Sequence, residues 1–291
     1  MTPLKQIWLN GTLADAVASP DTWSSQKSWS AALDEVTSHW IDSSVSSRLA
    51  TLKKLQSGAH SGAWVTCLPV ERYSISGFSP SEWRVLLRFR CGIPIMPLAR
   101  CGGCSTLLDP FGDHALSCAA CGRHNRLRQA LAFEYEQAGL PCRIEVHLPG
   151  LLSRRADILA VEPEEVSPAA SDVSVVHPLR PSAAPAASAE VSPGAAAAAR
   201  EADKLAFAGG ACAAAGWRLV PICAETTGAW GPSAKRAIRR LIRLQGGLGE
   251  PLAALAPVVW RRLAVAVAKG VAQCLLRAYP GFEAHVTEPW L

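Results

Sequence analysis

The sequence predicts an α/β fold in which a mixed sheet is flanked by helices and preceded by a helical region and a small metal-stabilised segment. Three observations predict it. Between residues 123 and 245, strand-like runs rich in β-branched residues alternate with amphipathic helical stretches in the order helix, strands, helix, strand, helix. Just before them, "CGGCSTLLDPFGDHALSCAACGRHN" gathers four of the ten cysteines and two of the seven histidines into one polar stretch. With 49% hydrophobic residues in 291, the chain can bury a sizeable core.

The elements follow in order. Residues 1–98 read as a helical region, in which Trp29, Leu33, Val36 and Trp40 fall on one helical face. Within it, Ser79 or Ser81 caps a helix through "SEWRVLLRFRCG" that ends before Pro94 and Pro97. Residues 99–122 form the cysteine segment. From Arg123 a helix runs through "RHNRLRQALAFEYEQAGL", with Leu127, Leu131 and Ala138 as its buried stripe and Gly139 as its stop. "RIEVHL", "RADILAV" and "DVSVV" read as three strands. Residues 181–199 are a low-complexity Pro/Ala insertion whose alanines after Gly194 begin a helix containing "READKLAF". The strand "WRLVPICAE" and the basic helix "AKRAIRRLIRL" follow, and residues 246–291 read as a helical C-terminal tail.

No run reaches the roughly 20 apolar residues of a membrane-spanning helix, and "MTPLKQIWLNGTLADAVASP" lacks the apolar core of a signal peptide. The expectation is an intracellular chain without a membrane partner. In a reducing compartment, cysteines at CxxC spacing bind metal more readily than they form disulfides. Cys101 and Cys104, then His114 and Cys118, form a Cys3His set suited to tetrahedral Zn2+ in a structural role, with Cys121 or His124 as alternative ligands. The isolated cysteines Cys67, Cys91, Cys142, Cys212, Cys223 and Cys274 read as small core residues.

Asp157 and Asp172, with fourteen residues between them, stand on two strands of a hairpin, each expected on a largely apolar face. A carboxylate there needs a cation or a metal. Hard oxygen donors suit Mg2+ or Mn2+, the chemistry of a metal-dependent nuclease, and Lys204 on the following helix is the nearest downstream lysine to assist it. The alternative is structural: Asp157 paired with Arg154 or Arg155, Asp172 at a strand end, Lys204 in solvent. Glu134, on the stripe of Leu127 and Leu131, is a further inward-facing acid, and Glu145 and Glu225 are weaker ones. The net charge is +5, and five cations in nine residues, Lys235, Arg236, Arg239, Arg240 and Arg243, stand around the apolar face of Ile238, Leu241 and Ile242. This pattern fits phosphate contact, which Arg123, Arg126 and Arg128 extend.

A CCHC knuckle, "GRHNRLRQAL" directly after it, a basic-x-Asp strand, a second Asp in "DVSVVHPL" and a helix with a lysine together resemble the restriction-like endonuclease domain of non-LTR retrotransposons, of the PD-(D/E)xK class. The resemblance covers about residues 60 to 245. It implies Mg2+-dependent cleavage of DNA that nicks a target and primes reverse transcription, a knuckle that helps bind nucleic acid, and nuclear residence. Asp157 and Asp172 match the two acids, and Lys204 matches a lysine moved onto the helix, since Ser174 stands at its ordinary place. Cys101, Cys104, His114 and Cys118 match the knuckle. Ala156 replaces the family's Pro, the knuckle spacing of nine and three differs slightly from the common one, and no "YADD" polymerase segment is present. The expected function is a retroelement-derived DNA endonuclease, with RNA as an alternative target. The alternative function is an inactive remnant that only binds nucleic acid.

Overall fold

The computed structural model describes residues 47–65, 77–95, 99–101, 104–118, 124–148, 150, 155–161, 167–179, 192–249, 251–279 and 282. The helical stripe of Trp29, Leu33, Val36 and Trp40, the residues Cys67, Cys121 and Arg123, and insertion residues 181–191 lie outside them. The chain divides into two units, residues 1–50 and 51–291. The segments 99–122, 123–245 and 246–291 sit within the second.

Helix α1 spans Ser47–Gln56 and α2 spans Pro80–Arg90. Ser79 caps α2 through a reciprocal box: its hydroxyl accepts from the Glu82 N–H at 3.1 Å, while the Glu82 carboxylate accepts from the Ser79 N–H at 2.9 Å. Val85, Leu86 and Phe89 form the buried face of α2, and Cys91 falls just beyond its end, exposed rather than in the core. A short hairpin of β1 (Ala99–Arg100) and β2 (Leu107–Leu108) precedes α3 (Asp113–Ser117). Helix α4 (His124–Gln137) buries Leu127, Leu131 and Tyr135, and Gly139 ends it at φ +71°, the left-handed conformation of a helix stop.

The main sheet has the order β3-β4-β5-β6, with β3 Cys142–His147, β4 Arg155–Ala160, β5 Ala169–Val176 and β6 Arg218–Glu225. The first three strands run antiparallel, and β5 and β6 run parallel, joined through α5 (Ala195–Ala214). The fold is therefore mixed α/β, a four-stranded mixed sheet flanked by helices. Strand β5 is longer than its β-branched run because Ala169, Ala170 and Ser171, poor strand formers, pair with Arg218, Leu219 and Val220 of β6. Tertiary pairing overrides local propensity there.

One sheet face presents Ile158, Ala160, Val173, Val175 and Ile222 to a large core shared with α4, α6 (Pro232–Gly247) and α7 (Leu252–Ala278). The other face packs Ala170 beneath Ala208 and Cys212 of α5. The last helix is a core element, with Val259, Leu263, Val271 and Leu275 fully buried. Among the described residues no helix is long and apolar enough to cross a membrane.

Two buried glutamates join the helices to the sheet. Glu225, closing β6, accepts from the Ala196 N–H at 3.0 Å at the start of α5. Glu201 of α5 accepts from the Ser233 and Ala234 N–H groups, at 2.8 and 2.9 Å, at the start of α6. These are the orphan donors that every helix N-terminus must satisfy. Gly231 accommodates the arrangement, since a Cβ there would meet the Glu201 Oε1 at 2.3 Å.

Glu201→Gln keeps the volume but turns an amide donor toward backbone donors. We expect a loss of about 1–3 kcal/mol, read as a lower urea midpoint at unchanged slope. An unchanged midpoint would remove this carboxylate from the fold's supports.

Candidate functional site

The four donors Cys101, Cys104, His114 and Cys118 converge, with their ligand atoms all within 4.8 Å of one another. Cys101 comes from the end of β1, Cys104 from the turn of the hairpin, and His114 and Cys118 from one turn of helix and the residue after it. Asp109 organises that turn. Its Oδ1 accepts from the Phe111 and Asp113 N–H groups at 2.9 and 3.1 Å, and its Oδ2 from the His114 N–H at 2.7 Å. The Cys104 thiol is held down to about 6, first by hydrogen bonds from Thr106 and then by His114, whose Nε2 lies 3.1 Å from its sulfur. A thiol near its thiolate form at neutral pH is what a metal ligand requires. The cluster therefore fits a soft tetrahedral metal ion such as zinc, with no protein donor replaced by solvent.

The segment is anchored on both sides. The Asp113 carboxylate accepts from His177 Nε2 at 3.1 Å, just past β5, while His177 Nδ1 lies 2.7 Å from the Thr226 hydroxyl beyond β6. Just past α7 the Tyr279 hydroxyl donates to the Asp109 carbonyl, and within α7 the Cys274 thiol donates to that of Ala115.

The second candidate lies where β4 and β5 part. Their pairing is confined to Ile158↔Ser171, Leu159↔Ala170 and Ala160↔Ala169, and one further step of that register sets Asp157 opposite Asp172. Instead of continuing the ladder, the Val173 N–H donates to Asp157 Oδ2 at 2.7 Å. Both acids stand on the less buried faces of their strands, not on the apolar ones, because Ile158, Ala160, Val173 and Val175 have taken the core side. Lys204, only 7% exposed on α5, forms an ion pair with Asp172 Oδ1. Burial pushes the Asp157 carboxyl up and the neighbouring Asp172 adds to this, against the opposing pull of the Val173 N–H, His124 and Lys204.

Two residues join this site that the sequence placed otherwise: Glu145, read as a weaker acid candidate, and Arg128, read as a phosphate contact. Glu145 faces Asp157 from β3, in the gap between Ile144↔Ile158 and Val146↔Ala156, with φ at +53°. That left-handed conformation of a non-glycine residue interrupts the ladder at this one position, and the register is the same on either side of it. Arg128 pairs with Glu145 and has its guanidinium 3.9 Å from Asp157.

The remaining expectations are placed as follows. Arg128, expected as an outer phosphate contact, is 8% exposed and turned inward, because its own helix face points at the acidic pair. Arg126 donates to Gln273 at 3.3 Å. Arg155 donates to His147 rather than to Asp157. Glu134 is not brought to the acidic pair: its carboxylate is fully buried and accepts from Gln245 and Arg262, tying α4 to α6 and α7. On α6, Arg236, Arg239 and Arg243 are exposed and Lys235 and Arg240 half-buried, over the buried Ile238, Leu241 and Ile242.

Metal analysis of the purified chain should find about one zinc per chain, lost in Cys104→Ser/Cys118→Ser together with a fall in Tm, since such a site supplies on the order of 10 kcal/mol. A metal-free chain with the Tm of the loaded one would sink the assignment. No family model matches the chain, and no curated protein matches it.

Proposed function

We propose that this chain is a metal-dependent nucleic-acid endonuclease of the PD-(D/E)xK type, acting on DNA. The observation that carries the reading is the side-by-side placement of Asp157 and Asp172 at the point where two strands separate, with Lys204 reaching them from α5. Asp157 and Asp172 would hold Mg2+ or Mn2+, and their half-open, all-oxygen arrangement suits a hard cation. When bound, such a cation neutralises charge on a phosphate and lowers the pKa of a coordinated water. Lys204 supplies a positive charge on the same spot, for a pentavalent phosphorus centre once it exchanges Asp172 for a phosphate oxygen. Arg128 holds Glu145 and sits beside Asp157, so it balances the acidic cluster and sets its geometry. The exposed arginines of α6 supply phosphate affinity without sequence information.

A second reading, an inert nucleic-acid-binding module, is favoured by one observation. Lys204 on Asp172 and Arg128 beside Asp157 already neutralise both carboxylates. Incubating supercoiled plasmid with the zinc-loaded protein and Mg2+ or Mn2+ decides between them. Nicking that disappears in Asp157→Ala/Asp172→Ala supports the enzyme. Salt-sensitive DNA binding by both proteins, with no nicking by either, supports the inert module.

The raised pKa of Asp157 also has a thermodynamic consequence. Folding lifts it above its ordinary value of 3.8, so the folded chain holds this proton more tightly than the unfolded one. The metal-free protein then loses stability as pH rises from that value through the raised one. Asp157→Asn should therefore have a higher Tm than wild type at pH 7 without divalent metal, a gain that vanishes in acid and shrinks when Mg2+ is added to both. A Tm below wild type at pH 7 would contradict the desolvation of this carboxylate.

A further inference from the structure

Between the start of α4 and the last turns of α7 lies a pocket of about 300 Å³. Asn125, Arg126 and Gln129 of α4 form one wall, and Gly270, Gln273 and Arg277 of α7 the other. Spacings of four on α4, and of three and seven on α7, make each wall one face of its helix. Among the described residues no aliphatic or aromatic side chain and no carboxylate lines the pocket. We propose that this pocket binds one phosphate group. It is apart from the acidic pair: Arg128 faces Asp157, and at 3.6 residues per turn Gln129 and Arg126 stand about 100° and 160° around α4 from it. The site goes beyond the nuclease reading and stands without it.

Two guanidinium groups on facing walls with no acid between them favour an anion. Arg277 is exposed and makes no hydrogen bond or ion pair among the described residues. Arg126 donates from Nε to Gln273 Oε1 at 3.3 Å, and its two terminal nitrogens make no hydrogen bond among the described residues. The carboxylate at hand, Glu82, is already engaged: Oε1 accepts from Gln273 Nε2 at 3.3 Å and Oε2 from the Ser79 N–H at 2.9 Å. Gln273 thus has both ends of its amide occupied, and it steadies Arg126 in turn. A guanidinium held at Nε and open at its other two nitrogens is a two-pronged donor that grips two oxygens of one anion.

The lining also selects which ligand. A nucleobase or other apolar ligand needs the aliphatic and aromatic surface that this pocket lacks. A carboxylate has two oxygens in one plane, and a single guanidinium fork satisfies it. Here donors stand on both sides: Arg126 with the amides of Asn125 and Gln129 on α4, and Arg277 on α7. A tetrahedral phosphate, with oxygens in all directions, is the anion that uses both walls. A free phosphate compound and a backbone phosphate of nucleic acid share this chemistry. Cys274, which also lines the pocket, donates to the carbonyl of Ala115, the residue after the metal ligand His114. The pocket therefore adjoins the metal-ligand segment and must be tested with that segment loaded.

The test uses the full zinc-loaded chain without Mg2+ or Mn2+, so that no metal on the acidic pair can hold the anion. Inorganic phosphate and thymidine monophosphate are titrated by calorimetry, with thymidine and malonate as controls, and a short fluorescent DNA duplex by anisotropy. Thymidine monophosphate should bind with a Kd of about 1 mM or below, and thymidine and malonate about tenfold more weakly or not at all. Arg126→Ala/Arg277→Ala should weaken the phosphate titration by about tenfold or more, and so should Arg277→Glu alone, at an exposed residue without a partner to lose. An unliganded Tm near wild type checks the fold of both. Arg236→Ala/Arg239→Ala, on the exposed face of α6, should titrate the small phosphates as wild type does. A parallel loss of duplex binding in the pocket variants assigns the phosphate to a nucleic-acid backbone; a loss confined to the small phosphates assigns it to a free compound. The proposal is overturned if the folded pocket variants match wild type with every phosphate probe, if wild type binds none of them, or if malonate binds as tightly as phosphate. Loss of the small-phosphate titration in the α6 variant alone overturns it as well. A chain that never nicks plasmid leaves it standing.

Discussion

A carboxylate taken out of water must be given hydrogen bonds or cations, and the position of α5 depends on two that are. Glu225 receives the first amides of α5, and Glu201, one turn before Lys204, receives the first amides of α6. The helix that carries the lysine is thereby held at its start by the end of β6 and along its length by the helix that follows it. Lys204 can then stay 7% exposed against Asp172, because the backbone that presents it has little freedom. The cost of burying these charges is offset by donors that a helix end must satisfy in any case.

The acidic pair exists because the sheet changes character at β5. On one side β5 pairs antiparallel with β4 for three residues, and on the other it pairs parallel with β6 for eight. Beyond Ile158 the β4 neighbour leaves, an amide at Val173 loses its ladder partner, and the Asp157 carboxylate takes it. A strand buried on one side and freed on the other offers a half-open place where two carboxylates stand together. The break in the β3–β4 ladder at Glu145 sets a third acid at the level of Asp157, and Arg128 offsets it.

The metal-ligand segment buries Leu108, Ala115 and Leu116 in the main core, and polar links add to this: Asp113 to His177, Tyr279 to Asp109, Cys274 to Ala115. Those links run to the ends of β5 and β6 and to α7. A segment able to hold a metal is thus tied to the strand that carries Asp172 and to the long helix that closes the core.

Local pattern determined a good deal. The box of Ser79 and Glu82, the CxxC and HxxxC spacings, the hairpin carrying Asp157 and Asp172, the helix carrying Lys204 and the apolar stripe of α6 each depend on contacts within a few residues or on a period. What only the tertiary structure decided is the partner of each charge. Glu134 and Lys204 are both charged residues on apolar helix stripes, yet Glu134 is bound by Gln245 and Arg262, 111 and 128 positions away, while Lys204 meets Asp172. Arg128 and Arg236 are both arginines on amphipathic helices, yet one is buried beside Asp157 and the other lines a cleft together with Arg218 of β6. Periodicity states which side of a helix is wet; the element packed against that side, brought there by burial of the remote core, decides what a charge on it can reach.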